Sequence, residues 1–279
     1  MARVLVVGAG LTGGACAALL RGATRERLCV WDKARGAGGR MSTSRSARDA
    51  ACTADLGAQY VSRRAESRGS FYEELLSHGI LEPLSARIEG LVEKEGSCDY
   101  VAPQGISSVV KYYLRQSGAD VFYERHVTHI SLRDGKWEVS SKMGSPELFD
   151  VVILTMPVPQ ILQLQGDIIN KSPEIGPSVV VHTTVTFGIE HLDSDPAEVQ
   201  ELILSHLENL VPSLPKAASV KCQKWRYSQV TKAVPNCSGQ MILHSQPLLI
   251  CGGDGFTCSN FDGCIESAMS LAETVRSHL

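Results

Sequence analysis

The sequence predicts an α/β fold, in which a Rossmann-like dinucleotide-binding domain is combined with a smaller antiparallel-sheet domain. An apolar run with β-branched residues, 4–7, leads into a glycine-rich turn and then into an Ala- and Leu-rich helical pattern. Asp32 ends the next apolar run, about 20 residues further on, where such domains carry an acidic side chain. A later apolar run, 248–252, ends at Gly253 and Asp254, just before the last helical pattern.

The glycines of the first turn predict dinucleotide binding. Gly8 allows the tight turn, Gly10 lets the backbone approach a pyrophosphate, and Gly13 lets the helix pack close to the strand. The pyrophosphate would face the free N–H groups and the positive dipole end of the helix. We expect Asp32 to accept a hydrogen bond from a ribose hydroxyl. A glycine-rich turn without a ligand would leave Asp32 unexplained.

Composition excludes several classes of protein. The 279 residues carry a net charge of −3 at pH 7, which gives no support for nucleic-acid binding. The apolar runs are too short to span a membrane. Nine cysteines show no CxxC pair and no Cys/His metal spacing, so no metal site is predicted. Residues 4–7 are needed as the first strand, so we expect no cleavable signal and a cytoplasmic protein.

The remaining patterns alternate between helix and strand. We expect helices at 11–22, 70–79, 104–118, 196–210 and 260–277, strands at 28–32, 121–123, 149–154, 179–187 and 220–230, and hairpins through 95–97 and 134–135. An antiparallel unit fits poorly into a parallel sheet. We therefore predict a discontinuous dinucleotide-binding domain of residues 1–80, 103–157 and 238–279, and a second domain of residues 81–102 and 158–237.

The loop after Asp32 carries two candidate binding segments, the first of which is Gly38-Gly39-Arg40. Gly39 permits close approach of a ligand, and the guanidinium of Arg40 can fork onto phosphate oxygens. The alternative is an exposed loop arginine.

The second candidate segment is 55–60. Its backbone at Gly57 could run against a flat ring, Gln59 could hydrogen-bond a ring heteroatom, and Tyr60 could wall a substrate site. A plain turn with a core tyrosine remains the alternative.

Two glycine-rich junctions at opposite ends of the chain suit a long cofactor. The first fits an ADP pyrophosphate. At the second, Gly253 and Asp254 could serve the far half of the cofactor, with Asp254 on ribityl hydroxyls and the helix dipole near developing negative charge. A nicotinamide cofactor would not require the second junction, whereas FAD would.

Taken together, these motifs resemble the FAD-dependent amine-oxidase-like superfamily. The resemblance covers nearly the whole chain and rests on the glycine fingerprint and on the segments 38–40, 55–60, 101–106, 136–139, 154–157, 224–226 and 252–256. It implies non-covalent FAD. It also implies oxidation of the 2- and 6-dihydro isomers of NAD(P)H to NAD(P)+, with O2 reduced to H2O2. Catecholamine oxidation is an alternative, and the resemblance carries secretion as an alternative location.

The resemblance also implies roles for individual residues. The FAD contacts it implies are Thr12, Arg40, Gln59 and Tyr60, with Val127 framing the adenine side. Tyr60, His182 and Trp225 would line the substrate pocket, although His182 and Trp225 could equally be core residues. A covalent flavin on Cys258 is disfavoured, because the resembling proteins do not tether their flavin there. We expect a monomer whose partners are the dihydro-NAD(P) isomers and O2.

The resemblance breaks between residues 164 and 175. A long stretch of the substrate domain is replaced there by the short segment 165–173, while both flanks match. This is typical of an internal deletion and predicts an incomplete, truncated substrate domain with unpaired strand edges. The two resulting hypotheses are a working FAD oxidase with a reduced pocket and a shortened, catalytically impaired isoform that binds FAD weakly or acts only as a binding or signalling protein. An NAD(P)-dependent reductase would need a second nucleotide fingerprint, and none is found.

Overall fold

The computed structural model describes residues 2–23, 27–45, 53–63, 69–85, 96–142, 144–157, 160–161, 181–210, 220, 222–225 and 227–279. The chain forms two compact units. The first comprises Met1–Thr43, Asp55–Asn170 and Gln229–Leu279, and the second comprises Ser44–Ala54 and Lys171–Ser228. The assignment of particular segments to cofactor or substrate stays a prediction.

The described helices are α1 (Leu11–Leu19), α2 (Gly69–Ser77), α3 (Ser107–Ser117), α4 (Val185–Glu190), α5 (Pro196–Leu210) and α6 (Phe261–His278). The described strands are β1 (Val4–Val7), β2 (Leu28–Trp31), β3 (Thr43–Arg45), β4 (Thr53–Asp55), β5 (Val61–Arg63), β6 (Glu82–Pro83), β7 (Cys98–Val101), β8 (Asp120–Phe122), β9 (Val127–Arg133), β10 (Lys136–Ser141), β11 (Glu147–Phe149), β12 (Val151–Leu154), β13 (Gln240–His244) and β14 (Leu248–Gly252).

A six-stranded sheet organises the first unit, in the order β13-β14-β12-β1-β2-β8. Its strands are parallel except β13, which runs antiparallel to β14. Strands β1, β2 and β12 are buried along their whole length, as expected for strands covered on both faces. The Rossmann-like α/β fold predicted from the first turn is therefore confirmed.

The two faces of the sheet are covered differently. Val4 and Val6 point to a cluster with α1, α3 and α6, and α1 packs against both other helices. Leu5 and Val7 belong to the opposite cluster, which includes Trp137 of the three-stranded sheet β11-β10-β9. The period of two along β1 thus divides its side chains between a helical layer and a β layer.

Two predicted strands are wrong. Of the strand predicted at 179–187, residues 179–180 lie outside the described residues and 181–184 form no strand. A helix begins at Val185, because the Thr184 Oγ1 accepts a hydrogen bond from the Phe187 N–H (3.2 Å) and caps that helix. The described residues of the segment 220–230 contain no strand. The hairpin predicted through 95–97 lies partly outside the described residues. Strand β7, directly after it in the chain, pairs antiparallel with β5 and β6.

The second unit contains α4 and α5. No side chain described in this unit is fully buried. Val181, Val185 and Ile189 are 44%, 53% and 69% exposed. Apolar burial is the main stabilising term in folding, so the described part of this unit has little to hold it together. Within the described parts of the chain, no helix is long and apolar enough to cross a membrane.

Ser267 is the buried polar link between α6 and the end of β14. Its hydroxyl donates to the Gly239 carbonyl (2.6 Å) and accepts from the Gly253 N–H (2.7 Å). We expect Ser267→Ala to lower the free energy of unfolding in urea by about 2–3 kcal/mol, because two buried backbone groups lose their partner. The matched control is Ser277→Ala on the exposed last turn of α6, expected within about 0.5 kcal/mol of wild type. Equal stability of the two variants would contradict this role.

Candidate functional site

The carboxyl ends of three parallel strands place the predicted binding segments at one edge of the main sheet. β1 is followed by Gly8, β2 by Asp32 and β14 by Gly253. Thr155, which follows β12, lies between the two glycine turns. A Cβ added to Gly8 would lie 2.6 Å from the Thr155 Oγ1, and one added to Gly253 would lie 3.8 Å from the Thr155 carbonyl oxygen. The strand order thus brings together both ends of the chain.

The three glycines of the first turn have different surroundings. Gly8 has φ +116°, a conformation that side chains rarely adopt. A Cβ at Gly13 would lie 2.0 Å from the Gly8 carbonyl oxygen, so only glycine allows this approach of helix to strand. A Cβ at Gly10 would have no heavy atom within 4 Å. Gly8 and Gly13 therefore serve the fold, whereas Gly10 faces open space.

The carboxylate of Asp32 ties the first turn to the end of β2. Its Oδ2 accepts from the Ala9 N–H (2.6 Å) and its Oδ1 from the Ala34 N–H (2.7 Å). Each oxygen keeps a further acceptor position, because a carboxylate offers about four in all. The side chain is held in place and still has capacity for a ligand hydroxyl.

The segment Gly38-Gly39-Arg40 lies on the first turn. The Gly38 N–H donates to the Ala9 carbonyl (2.9 Å). Gly39 has φ +56°, and a Cβ added there would lie 3.5 Å from the Gly10 Cα. The segment therefore lies beside Gly10 and borders the open space that Gly10 faces.

Arg40 and Asp254 form a two-pronged ion pair. The Arg40 Nη1 lies 2.6 Å from the Asp254 Oδ2, and its Nη2 lies 2.7 Å from the Oδ1. Asp254 is 6% exposed, and the Ser259 hydroxyl also donates to its Oδ2 (3.0 Å). Burial lowers the pKa of the Arg40 guanidinium, but the hydrogen bonds and charge of Asp254 raise it above its ordinary value overall. The sequence analysis predicts that Arg40 and Asp254 each contact a ligand. It does not predict that the two side chains contact each other.

The segment 55–60 packs on the backbone of Arg40. The Ala58 N–H donates to the Arg40 carbonyl (3.1 Å), and a Cβ at Gly57 would lie 2.0 Å from that same oxygen. Gly57 thus allows the close approach of two backbones. Gln59 is exposed and its Nε2 donates to the Asp55 carbonyl (2.6 Å), while Tyr60 is half-buried.

Two polar residues of the site have roles that sequence reasoning missed. The Asp55 Oδ1 accepts from the Thr43 hydroxyl (2.6 Å) and from the Ile106 N–H (2.8 Å), and so anchors the start of α3. Burial and then the charge of Asp254 raise the pKa of the Cys264 thiol, a hydrogen bond with Thr12 lowers it, and the net result is a pKa of about 11. The Cys264 thiol is therefore neutral at physiological pH. No spacing in the sequence pointed to either contact.

The remaining predicted residues lie in both units. Thr12 is 5% exposed, within α1. Val127 is 3% exposed and packs in the apolar cluster of the β layer. His182 and Trp225 belong to the second unit, where His182 is exposed and Trp225 half-buried. Their roles at a substrate stay predictions. Over the described residues, no group of three or more His, Cys, Asp or Glu side chains could hold a metal ion.

Comparison with known proteins agrees with this geometry. Residues 6–75 match the model of the NAD(P)-binding Rossmann-like domain. The chain is 46% identical to renalase from Mus musculus, over an alignment of 342 positions that covers 100% of both proteins. The chain belongs to the renalase family. The family predicted from the motifs is thus confirmed, and an oxidoreductase of the renalase type is supported.

The alignment with mouse renalase is longer than the chain. Because the chain has 279 residues, at least 63 of the 342 aligned positions hold none of them. Among solved structures, a putative protoporphyrinogen oxidase from Exiguobacterium sp. 255-15 is similar with a TM-score of 0.64 and 12% identity, covering 100% of this chain and 99% of that one. At this identity the likeness shows the fold that the renalase family shares with that structure.

The glycines of the turn give a matched pair of variants. We expect Gly13→Ala to lower the free energy of unfolding by at least about 2 kcal/mol, because its Cβ would overlap the Gly8 carbonyl oxygen. Gly10→Ala should leave stability within about 0.5 kcal/mol, because its Cβ meets nothing. Urea unfolding of both purified variants measures the difference. Equal losses would show that Gly10 is also needed for the fold.

Proposed function

We propose that this chain is an FAD-dependent oxidase that converts the 2- and 6-dihydro isomers of NAD(P)H to NAD(P)+ and reduces O2 to H2O2. The observation that carries the proposal is the 46% identity with mouse renalase over the full length of both proteins. The arrangement of the glycine turns supports it independently, because it offers a binding surface at the edge of the sheet where dinucleotides bind in such folds.

The residues of the first unit fit FAD. Gly10 faces open space beside Gly39, which leaves room for a diphosphate at the start of α1. Asp32 has free acceptor positions for a ribose hydroxyl, as its two hydrogen bonds leave about half of its capacity. In this proposal the residues that hold FAD or shape its site are Gly8, Gly10, Thr12, Gly13, Asp32, Gly39, Arg40, Gly57, Gln59, Tyr60, Val127, Gly253 and Asp254.

The reaction needs little acid–base catalysis from the protein. When bound, FAD would supply the acceptor for a hydride, and the two electrons would reduce O2 to H2O2 with one further proton from solvent. A dihydropyridine becomes a pyridinium by losing a hydride alone, so no side chain has to remove a proton. The proposed task of Tyr60, His182 and Trp225 is to stack and orient the substrate ring and to exclude water.

A second function is favoured by one observation. No described side chain of the second unit is fully buried, and this unit holds His182 and Trp225. A unit so weakly packed would position substrate poorly. The alternative is therefore a shortened, catalytically impaired isoform that binds FAD weakly or acts only as a binding or signalling protein. Oxidation of catecholamines, a monomeric state, and a cytoplasmic or alternatively secreted location are further proposals.

Anaerobic titration of the purified chain tests these functions. We expect visible flavin absorbance that 6-dihydro-NAD bleaches under nitrogen and that air restores with formation of H2O2. A catecholamine serves as the comparison substrate, and it should leave the absorbance unchanged. Bleaching by the catecholamine alone would favour amine oxidation.

Two other outcomes separate the remaining hypotheses. A flavin that neither substrate bleaches would contradict the oxidase and support the impaired isoform. Protein that carries no flavin, and takes up none when FAD is added, would contradict the oxidase and leave the isoform that acts only as a binding or signalling protein.

A further inference from the structure

We infer that Ser259 and Asp254 are positioning residues that aim the Arg40 guanidinium at the diphosphate of the cofactor. The inference rests on the proposed function, because it concerns the same FAD site. It is carried by a chain of hydrogen bonds from the Ser259 hydroxyl to the Asp254 carboxylate (3.0 Å) and from Arg40 to both carboxylate oxygens (2.6 and 2.7 Å). Nothing in the sequence motifs points to Ser259.

The number of occupied acceptor positions limits how Asp254 can contact a cofactor. Its two oxygens accept three hydrogen bonds, which leaves about one of four acceptor positions. A ribityl hydroxyl could take that single position. About half of the acceptor positions of Asp254 are therefore directed to Arg40, and only about one remains for the cofactor.

The same count shows what Arg40 has left. A guanidinium carries five N–H donors, and two of them point to Asp254. About three remain for phosphate oxygens. Because Arg40 neutralises Asp254, the buried carboxylate does not face an anionic diphosphate with its full charge.

Arg40 is also fixed at its backbone, next to the place where a diphosphate would lie. Its carbonyl accepts from the Ala58 N–H (3.1 Å). Gly57 lies so close to this carbonyl that a residue with a Cβ would not fit at position 57. Its neighbour Gly39 lies against Gly10. Arg40 is thus held both at its backbone and at its guanidinium. Such a side chain loses little conformational entropy when a ligand binds, and this preorganisation favours affinity.

The binding of FAD to apoprotein tests the inference, measured by quenching of flavin fluorescence. We expect Ser259→Ala to raise the dissociation constant about threefold to tenfold, the change that corresponds to the loss of one typical hydrogen bond. Ser259→Thr keeps the hydroxyl and should bind as wild type. Ser277→Ala, at the far end of α6, is the matched control and should have no effect. Ser259 is exposed, so the thermal midpoint of the apoprotein should not change.

A double-mutant cycle separates positioning from a general loss of structure. Lysine cannot make the forked contact, so Ser259→Ala should have no further effect on FAD affinity in an Arg40→Lys background. Additive effects, or wild-type affinity in Ser259→Ala, would overturn the inference while leaving the proposed function intact. Wild-type protein that binds no FAD would contradict the proposed function, and this inference with it.

Discussion

The ion pair between Arg40 and Asp254 is the interaction on which the candidate site depends. It joins side chains 214 residues apart and connects the loop after β2 with the turn after β14. These two strands are separated in the sheet by β12 and β1, so the pair spans the edge at which both glycine turns open. Because Asp254 is almost completely buried, it requires a cationic partner. The ion pair therefore holds the loop after β2 next to the turn after β14, and the glycines of both segments can present their backbone to a ligand between them.

The two units of the chain differ in what supports them. The first has a sheet covered on both faces and apolar clusters on either side. In the second, the described side chains are all at least partly exposed, and at least 63 aligned positions of the mouse relative have no counterpart in this chain. In the proposed function, cofactor binding and substrate turnover can therefore separate, because they would depend on units whose described residues differ in burial. A chain of this kind could bind flavin and still turn over no substrate, so the two properties have to be measured separately.

What the sequence predicts here is mostly local. The turn with Gly8 and Gly13, the position of Asp32 and the long final helix are evident from spacing and from apolar period. The contact of Arg40 with Asp254 could not be read in this way, because it depends on strand order over the whole chain. The predicted strand at 179–187 failed for a different reason: the β-branched pattern favoured a strand, but a threonine cap started a helix inside it. Ser259 has no motif at all, and only its distance to Asp254 reveals it.

The coupling between Arg40 and Asp254 in the apoprotein tests the central claim most directly. Urea unfolding of Arg40→Met, Asp254→Leu and the double variant gives this coupling without any cofactor. We predict that each single variant is destabilised, since it leaves a partner charge without its counterion, and that the double variant is more stable than the sum of the two losses by about 1–3 kcal/mol. Additive losses would contradict the claim, because they would show that the two ends of the chain are held together by other contacts.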